Sequence, residues 1–453
     1  MKVLLISFNH LKVPYPVFPL GLDYVAGALA PHAVRVLDLC STPVGEEAEP
    51  IARAVGELGP DAVGISIRNI DNTDCTDLKA FLADMRAVVN AVRAATRAPI
   101  VLGGAGYTLF PGELLTALGA DYGIVGEGER LKGLLDALEQ GGGRLAEPVP
   151  EGVAVRGRPA PRPVPFRGEI LRGAPQLNPL LPWYLGHGGM LSLQTQRGCP
   201  FRCVYCTYPA IEGRGLRPID LAQVGRTARN LQEAGAKYLF LTDSSFNASP
   251  AHSLAVARAL REAGVSVPWS AFFTPVRPPD GFYQRLAEAG CSHVEFGTDT
   301  LCDAMLERNQ KPFRFADVQA AHAAAQAAGL YVAHFMLLGG PGETPQTVQE
   351  ALDHAELLPE TAYFFFCGMR IYPNTDLHRI ALEEGQIAPG QDLLEPVFYR
   401  PRAIGPDEIT RQVERHSRGR HAWVVGAGGE AFAKLQWRQY ERGNVGPLWE
   451  RLF

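Results

Sequence analysis

Residues 191–206 read LSLQTQRGCPFRCVYC, and this stretch decides how the rest of the chain is interpreted. The alternating run 191–196 predicts a β-strand, and Cys199, Cys203 and Cys206 follow in the loop where the strand ends. Eight cysteines placed at random would give this spacing about 0.003 times. Three thiolates on one loop suit a cubane iron–sulfur cluster, whereas structural zinc needs four closed ligands.

The strand of this stretch opens a series of β/α units. Helical patterns separate the strands, notably LAQVGRTARNLQEAG and ADVQAAHAAAQAAG. Six units between residues 191 and 395 are too few for an eight-fold barrel and predict a partial (β/α)6 barrel. The predicted strands lie at 191–196, 238–243, 267–273, 293–298, 331–340 and 362–369.

The chain before the barrel also alternates strands and helices. Short β-branched runs over residues 1–140 predict an α/β fold with a doubly wound, parallel, Rossmann-like sheet. Such sheets bind ligands at the carboxyl ends of their strands. A helix is expected over 75–95, and the predicted strands are 3–7, 34–39, 61–67, 99–104 and 120–126.

Two further segments complete the division of the chain. Residues 141–190 contain Pro, Gly and Arg mixtures such as RGRPAPRPVPFRG, which predict a linker without regular elements. Residues 396–453 carry three tryptophans on a helical pattern and are expected to form a small helical cap.

Composition narrows the class of protein. The chain has 453 residues, a net charge of −5 and 46% hydrophobic residues, so a large core is expected and a basic nucleic-acid-binding surface is not. The first residues contain no signal-peptide core, and no apolar run reaches the length of a membrane span. We therefore expect a cytoplasmic monomer that binds neither nucleic acid nor a membrane.

At the cysteine loop the sequence resembles the radical S-adenosylmethionine (SAM) enzymes, whose CxxxCxxC motif binds a [4Fe-4S] cluster through three irons. Cys199, Cys203 and Cys206 match that motif, and Tyr205 matches the aromatic residue before the third cysteine. The resemblance implies that SAM binds the open fourth iron and that an external donor supplies an electron. Chemistry of this kind belongs to the cofactors, which the protein positions.

Other segments of the barrel extend this resemblance. Asp243 and Ser244 lie where the family contacts the SAM amino group, although Asp243 could instead cap a helix. Glu295 or Asp299 would contact the ribose or methionine part of SAM, or either could be a solvated carboxylate. Gly339 begins a GxPGET-like turn, which we interpret mainly as a structural turn that opens a helix and only secondarily as a contact with SAM.

Joined to such a barrel, residues 1–140 resemble the cobalamin-binding domain of the cobalamin-dependent radical SAM enzymes. Gly103 and Gly104 would let the backbone approach the nucleotide tail of cobalamin, and Glu127 lies in the matching segment 121–129. No DxHxxG loop supplies an axial histidine, so His10 is expected to be a solvated loop residue. Arg68 and its neighbour Asn69 could cover the lower face of cobalt. Arg68 could instead form a salt bridge that anchors its loop.

The resemblance implies methyl transfer to an unactivated carbon of a small molecule or natural product, with one SAM as methyl donor and a second cleaved to a hydrogen-abstracting radical. An alternative enzyme would use the same cofactors for cyclisation, rearrangement or reduction. A protein that only senses cobalamin or SAM is a third possibility. An RNA methylthiotransferase is disfavoured because residues 1–140 lack a second cysteine cluster. The sequence identifies neither the substrate nor an acid–base residue.

Overall fold

The computed structural model describes residues 1–13, 15–426 and 428–452. Its strands are β1 Lys2–Phe8, β2 Ala33–Asp38, β3 Ala62–Ile67, β4 Ile100–Gly103, β5 Tyr122–Ile124, β6 Val153–Val155, β7 Met190–Leu193, β8 Gln196–Arg197, β9 Arg217–Pro218, β10 Tyr238–Leu241, β11 Trp269–Phe273, β12 Cys291–Asp299, β13 Tyr331–Leu338, β14 Thr361–Cys367 and β15 Trp423–Val425.

The helices fill the connections between these strands. They are α1 Leu20–Ala28, α2 Ala48–Leu58, α3 Leu82–Ala95, α4 Ala105–Leu109, α5 Pro111–Leu118, α6 Leu131–Gln140, α7 Leu181–Gly186, α8 Tyr208–Ile211, α9 Leu221–Glu233, α10 Pro250–Glu262, α11 Phe282–Ala287, α12 Asp303–Arg308, α13 Phe315–Ala327, α14 Pro345–Ala355, α15 Asp376–Glu383, α16 Pro406–Ser417 and α17 Gly429–Glu441. None of these described helices is both long and apolar enough to cross a bilayer.

The first sheet has the order β2-β1-β3-β4-β5-β6, and its first five strands are parallel. Residues Val3–Phe8 of β1 are all buried, because helices cover both faces of the sheet. The α/β, doubly wound domain predicted from the sequence is confirmed.

The second sheet has the order β7-β10-β11-β12-β13-β14-β15, with all neighbouring strands parallel. Trp269, Ala271 and Phe273 of β11 point outward into the core shared with the helices, and residues between them face the barrel lumen. The partial barrel is confirmed. Its six expected strands are joined by a seventh, β15, from the C-terminal region.

Three local predictions were wrong. The helix expected over 75–95 begins only at Leu82, because the preceding turn is held by its own side chains: Asp74 accepts from Thr76 N at 2.9 Å. The linker is not devoid of regular elements, since the apolar run Val153–Val155 pairs antiparallel with β5. The C-terminal region is not purely helical, because Trp423–Val425 extends the barrel sheet.

Candidate functional site

The three motif cysteines lie in one loop between β8 and α8 at the carboxyl edge of the barrel. Gly198 turns the chain into this loop with φ +90°, a conformation that favours glycine. All three thiols are free, and burial raises the pKa of each, to about 12 for Cys206. Buried thiols of raised pKa need a nearby positive charge to become thiolates, and bound iron would supply one.

The loop is not arranged around a single ion. Among the described residues, no three His, Cys, Asp or Glu side chains converge closely enough to hold one metal ion. The cysteines of an iron–sulfur cubane each bind a different iron and therefore lie further apart. The described chain thus offers no four-ligand set of the kind that structural zinc requires.

A buried cation lies beside the cysteine loop. Lys311 Nζ is 3.0 Å from Asp299 Oδ2, and Tyr205 donates its hydroxyl proton to the same oxygen at 2.7 Å. Although burial opposes the charge, Asp299 and Cys203 raise the pKa of Lys311. The ammonium group of Lys311 thus favours anionic groups at this edge of the barrel, such as thiolates or a ligand carboxylate.

Asp243 supports the segment that leads into the loop. It follows β10, is 0% exposed, and accepts from Thr195 N at 2.7 Å and Gln196 N at 3.3 Å. These bonds join neighbouring strands and are not helix-capping bonds, so the alternative of a helix cap is wrong. The predicted contact of Asp243 with SAM stays a prediction.

Glu212, which the sequence analysis missed, also binds this segment. Its carboxylate accepts from Gln194 Nε2 and from Gly198 N, each at 3.0 Å. Ser244 Oγ donates to it at 3.3 Å, and the predicted contact of Ser244 with the SAM amino group stays a prediction. Nothing in the local sequence around Glu212 marks this role, because the contact joins residues of separate loops.

The N-terminal domain is tied to the barrel immediately before the cysteine loop. The guanidinium of Arg197 donates to Glu127 at 2.6 Å and to Glu129 at 2.7 Å, and all three side chains are buried. Glu127 also accepts from Arg217 at 3.1 Å and from Phe166 N at 2.5 Å. One oxygen of Glu127 therefore binds the barrel and the other binds the linker, and the predicted contact of Glu127 with cobalamin stays a prediction.

A further ion pair joins the same two edges, and a second set of contacts joins the first sheet to the segment before β7. Arg370, which follows β14, lies 3.0 Å from Asp71 after β3, and both side chains are buried. Asp38, at the end of β2, accepts from Asn178 at 2.7 Å and from Tyr184 at 2.9 Å. The carboxyl edges of the two sheets thus face each other across polar contacts.

A cleft of about 260 Å³ lies beside the carboxyl ends of the first sheet. Its walls are mostly apolar, and Gly103 and Gly104 lie in them as predicted. Gly104 has φ +101°, and an added Cβ would clash with the carbonyl of Ile67. At the cleft's barrel end lie Gln194, Arg197 and Glu212, so the cleft borders the segment that positions the cysteine loop.

Comparisons with known proteins match these two domains separately. The B12 binding domain model matches residues 6–135, and the Radical SAM superfamily model matches residues 193–355. The chain belongs to the B12-binding radical SAM enzymes. Both matches lie within the domains described above, on either side of the linker.

Two curated relatives agree with this family. The chain is 26% identical to tryptophan 2-C-methyltransferase of Streptomyces laurentii over 446 residues, covering 83% of this chain and 74% of the relative. It is 26% identical to hopanoid C-3 methylase of Methylococcus capsulatus over 278 residues, covering 56% and 48% respectively.

A solved structure shares the whole fold. The radical SAM methyltransferase TsrM of Kitasatospora setae, with tryptophan and a SAM analogue bound, superposes with a TM-score of 0.86 at 23% identity. The match covers 100% of this chain and 97% of TsrM. A second TsrM structure, with cobalamin and a [4Fe-4S] cluster bound, has a TM-score of 0.79 at 22% identity, covering 98% and 100%.

The cofactor sites of this radical SAM enzyme fit the residues present. Cys199, Cys203 and Cys206 supply three buried thiols on one loop, the number that leaves one cubane iron open. The glycine-lined apolar cleft of the first domain is suited to the nucleotide tail of cobalamin. When bound, the cluster supplies electrons to SAM and cobalamin carries a methyl group.

The predicted cobalt-facing residues lie between the two domains. Arg68 is exposed and Asn69 is half-buried. Arg68 forms none of the salt bridges found within the described part of the chain, so the loop-anchoring alternative is not supported. His10 is not a solvated residue: its ring is buried, and Nε2 lies 3.3 Å from Glu47.

The GxPGET-like turn of the barrel is architectural, as predicted. Gly339 N donates to Glu343 at 3.0 Å, and Thr344 caps α14 by accepting from Thr347 N at 3.1 Å. The predicted contact of Gly339 with SAM stays a prediction.

Asp243→Asn is expected to remove a pH-dependent loss of folding stability. Burial raises the pKa of Asp243 to about 7, whereas an unfolded aspartate titrates near 4. The neutral carboxyl of Asp243 therefore makes its full contribution to folding stability below about pH 4, and this contribution is lost as the pH rises through about 7. Asparagine stays neutral and can accept from the same backbone N–H groups.

At pH 8 the asparagine variant should be more stable than the wild type, by up to about 4 kcal/mol, and this advantage should vanish near pH 4. Thermal unfolding from pH 4 to 8 measures the difference, with the exposed Asp353→Asn as control. A difference that does not change with pH would contradict this account of Asp243.

Proposed function

We propose that this protein transfers a methyl group from SAM, by way of cobalamin, to a carbon atom of a small organic substrate held between its two domains. The observation that carries the proposal is the fixed, face-to-face arrangement of a B12-binding sheet and a radical SAM barrel. The buried Arg197–Glu127–Glu129 tie sets that arrangement directly beside the cysteine loop.

The chain's residues have separate roles in this proposal. Cys199, Cys203 and Cys206 hold the cluster, and Lys311 places a positive charge beside it for the SAM carboxylate. Asp299 fixes that ammonium group and orients the Tyr205 ring. Each group acts by position or charge, which is how a protein assists chemistry that its cofactors perform.

Cobalamin is proposed to bind over the carboxyl edge of the first sheet. Gly103 and Gly104 line the cleft for its nucleotide tail. Arg68 is proposed to cover the lower face of cobalt with Asn69 beside it, where a guanidinium would exclude a ligand without coordinating. The polar ties between the domains would exclude bulk water from the space between the cofactors.

The relatives support methyl transfer over the other uses of these cofactors. Both curated relatives described above are named for transfer of a methyl group to carbon. An external electron donor, a monomeric state and a cytoplasmic location complete the proposal. Radical cyclisation, rearrangement or reduction transfers no methyl group and would therefore form no S-adenosylhomocysteine.

Product analysis of the anaerobically reconstituted protein tests this function. With reductant, SAM and a panel of aromatic and amine-bearing small molecules, we expect S-adenosylhomocysteine and a product 14 mass units heavier, in about equal amounts. A sample prepared without cobalamin should form neither. Formation of 5′-deoxyadenosine without S-adenosylhomocysteine would instead favour the cyclisation, rearrangement or reduction enzymes.

A further inference from the structure

The barrel encloses an aromatic lumen. Phe272 and Phe240 point inward from neighbouring strands with ring centroids 4.8 Å apart, and Phe335 stacks on Phe364 at 5.0 Å. Phe272 is 38% exposed although it lies on the inner face of a sheet. A Cβ added to Gly297, on the same face, would meet nothing closer than the Phe273 carbonyl at 4.0 Å. The lumen is therefore open space with aromatic walls.

One carboxylate lies in this lumen. Glu295 pairs in register with Phe272, so both side chains point to the inner face. Glu295 is 3% exposed and accepts from Trp449 Nε1 at 3.1 Å. Trp449 belongs to the C-terminal segment that packs against the inner faces of β13, β14 and β15, so it forms part of the floor of the lumen.

The carboxylate of Glu295 forms no ion pair within the described part of the chain. Among the described residues, no Lys, Arg or His nitrogen lies within 4.0 Å of its carboxylate, as ion pairing would require. Burial raises the pKa of Glu295 to about 7, so the carboxyl is partly ionised near neutral pH. A buried charge is costly unless a cation neutralises it, and a cationic group of a ligand would stabilise the ionised form of Glu295.

Glu295 is separated from the SAM end of its own strand. Asp299 lies four residues further along β12, about 13 Å away along the strand, and is already paired with Lys311. Tyr15 of the N-terminal domain lies close enough to Glu295 for their charges to interact. Burial and the charge of Glu295 raise the pKa of Tyr15, and Arg68 lowers it. The lumen thus adjoins the space between the domains.

We infer that Glu295 binds a protonated amine of the substrate and that the aromatic lumen binds the planar or apolar body carrying that amine. This assignment rests on the proposed function, because it identifies the substrate class of the same enzyme. It replaces the predicted contact of Glu295 with SAM, and leaves Asp299 at the SAM end.

Equilibrium binding to the reconstituted holoprotein tests the assignment without requiring turnover. The probes are tryptamine, an indole that carries a protonated alkylamine, and 3-ethylindole, which has the same ring system and no charge. We expect tryptamine to bind at least about tenfold more tightly than 3-ethylindole at pH 8. Glu295→Gln keeps the acceptor for Trp449 and removes the charge, so it should abolish this preference.

A matched control is Glu450→Gln, which removes a carboxylate that pairs with His293 beside the lumen floor. It should keep the tenfold preference, and both variants should keep the iron and cobalamin content and SAM affinity of the wild type. A wild type that does not prefer tryptamine, or a preference that survives in Glu295→Gln, would overturn the inference. An equal loss of SAM affinity in Glu295→Gln would overturn it in favour of a SAM contact. Failure of methyl transfer with this binding pattern intact would refute the proposed function alone.

Discussion

Replacing Cys203 with alanine is expected to reduce the iron content of the reconstituted protein from about four atoms per chain to less than about one. Cys203 is the middle ligand of the loop, and two remaining thiols cannot hold three corners of a cubane. SAM cleavage should fall to the background of the cluster-free protein. Iron analysis and the visible absorption of the cluster measure the first effect, and chromatography of SAM products measures the second.

The control for this change is Cys302→Ala. Cys302 is also a free, fully buried cysteine, but it packs in the apolar core between α12 and α14. Its loss should cost about 1 kcal/mol of packing and leave the iron content unchanged. If Cys203→Ala kept about four irons per chain, the assignment of the cysteine loop would be wrong.

Replacing Arg197 with methionine is expected to destabilise the protein by about 3–5 kcal/mol, because the change leaves the buried carboxylate of Glu129 without its cation and leaves Glu127 with Arg217 alone. Glu127 and Glu129 both lose a charged hydrogen bond, and the tie between the cofactor domains is broken at its most buried point. The thermal unfolding midpoint measures the loss of stability. Cobalamin retention after gel filtration measures the loss of domain alignment.

Two further variants distinguish the loss of the Arg197 ion pairs from a nonspecific effect of substitution. Arg214→Met removes an exposed arginine of the same region and should change stability by less than about 0.5 kcal/mol. Adding Glu127→Gln and Glu129→Gln to the Arg197→Met chain should restore part of the stability, because the uncompensated charges are then removed. Equal thermal unfolding midpoints for the Arg197→Met and Arg214→Met chains would show that the ion pairs of Arg197 do not stabilise the fold.

Much of the fold could be predicted from the sequence because both sheets are parallel and buried on both faces. Strands such as Val3–Phe8 then appear as apolar runs interrupted by a single polar residue at most, and the alternation of strands and helices identifies two β/α domains. The edge strands β6 and β15 were missed. They are three residues long, and their neighbours in the sheet stabilise them more than any local pattern does.

The cluster cysteines could be found because their spacing lies within a single loop. The other site residues depend on contacts between distant segments: Arg197 with Glu129, Asp299 with Lys311, and Glu295 with Trp449. No spacing rule connects these pairs. Motif position alone therefore could not distinguish Asp299, beside the cysteine loop, from Glu295 in the lumen.

The most direct test of the central claim is simultaneous quantification of iron, cobalt and zinc in one anaerobically reconstituted sample of the full chain. The account predicts about four irons and one cobalt per chain, with zinc well below one. Stoichiometric zinc in place of iron, or iron without cobalt after saturation with cobalamin, would contradict a chain that holds both cofactors face to face.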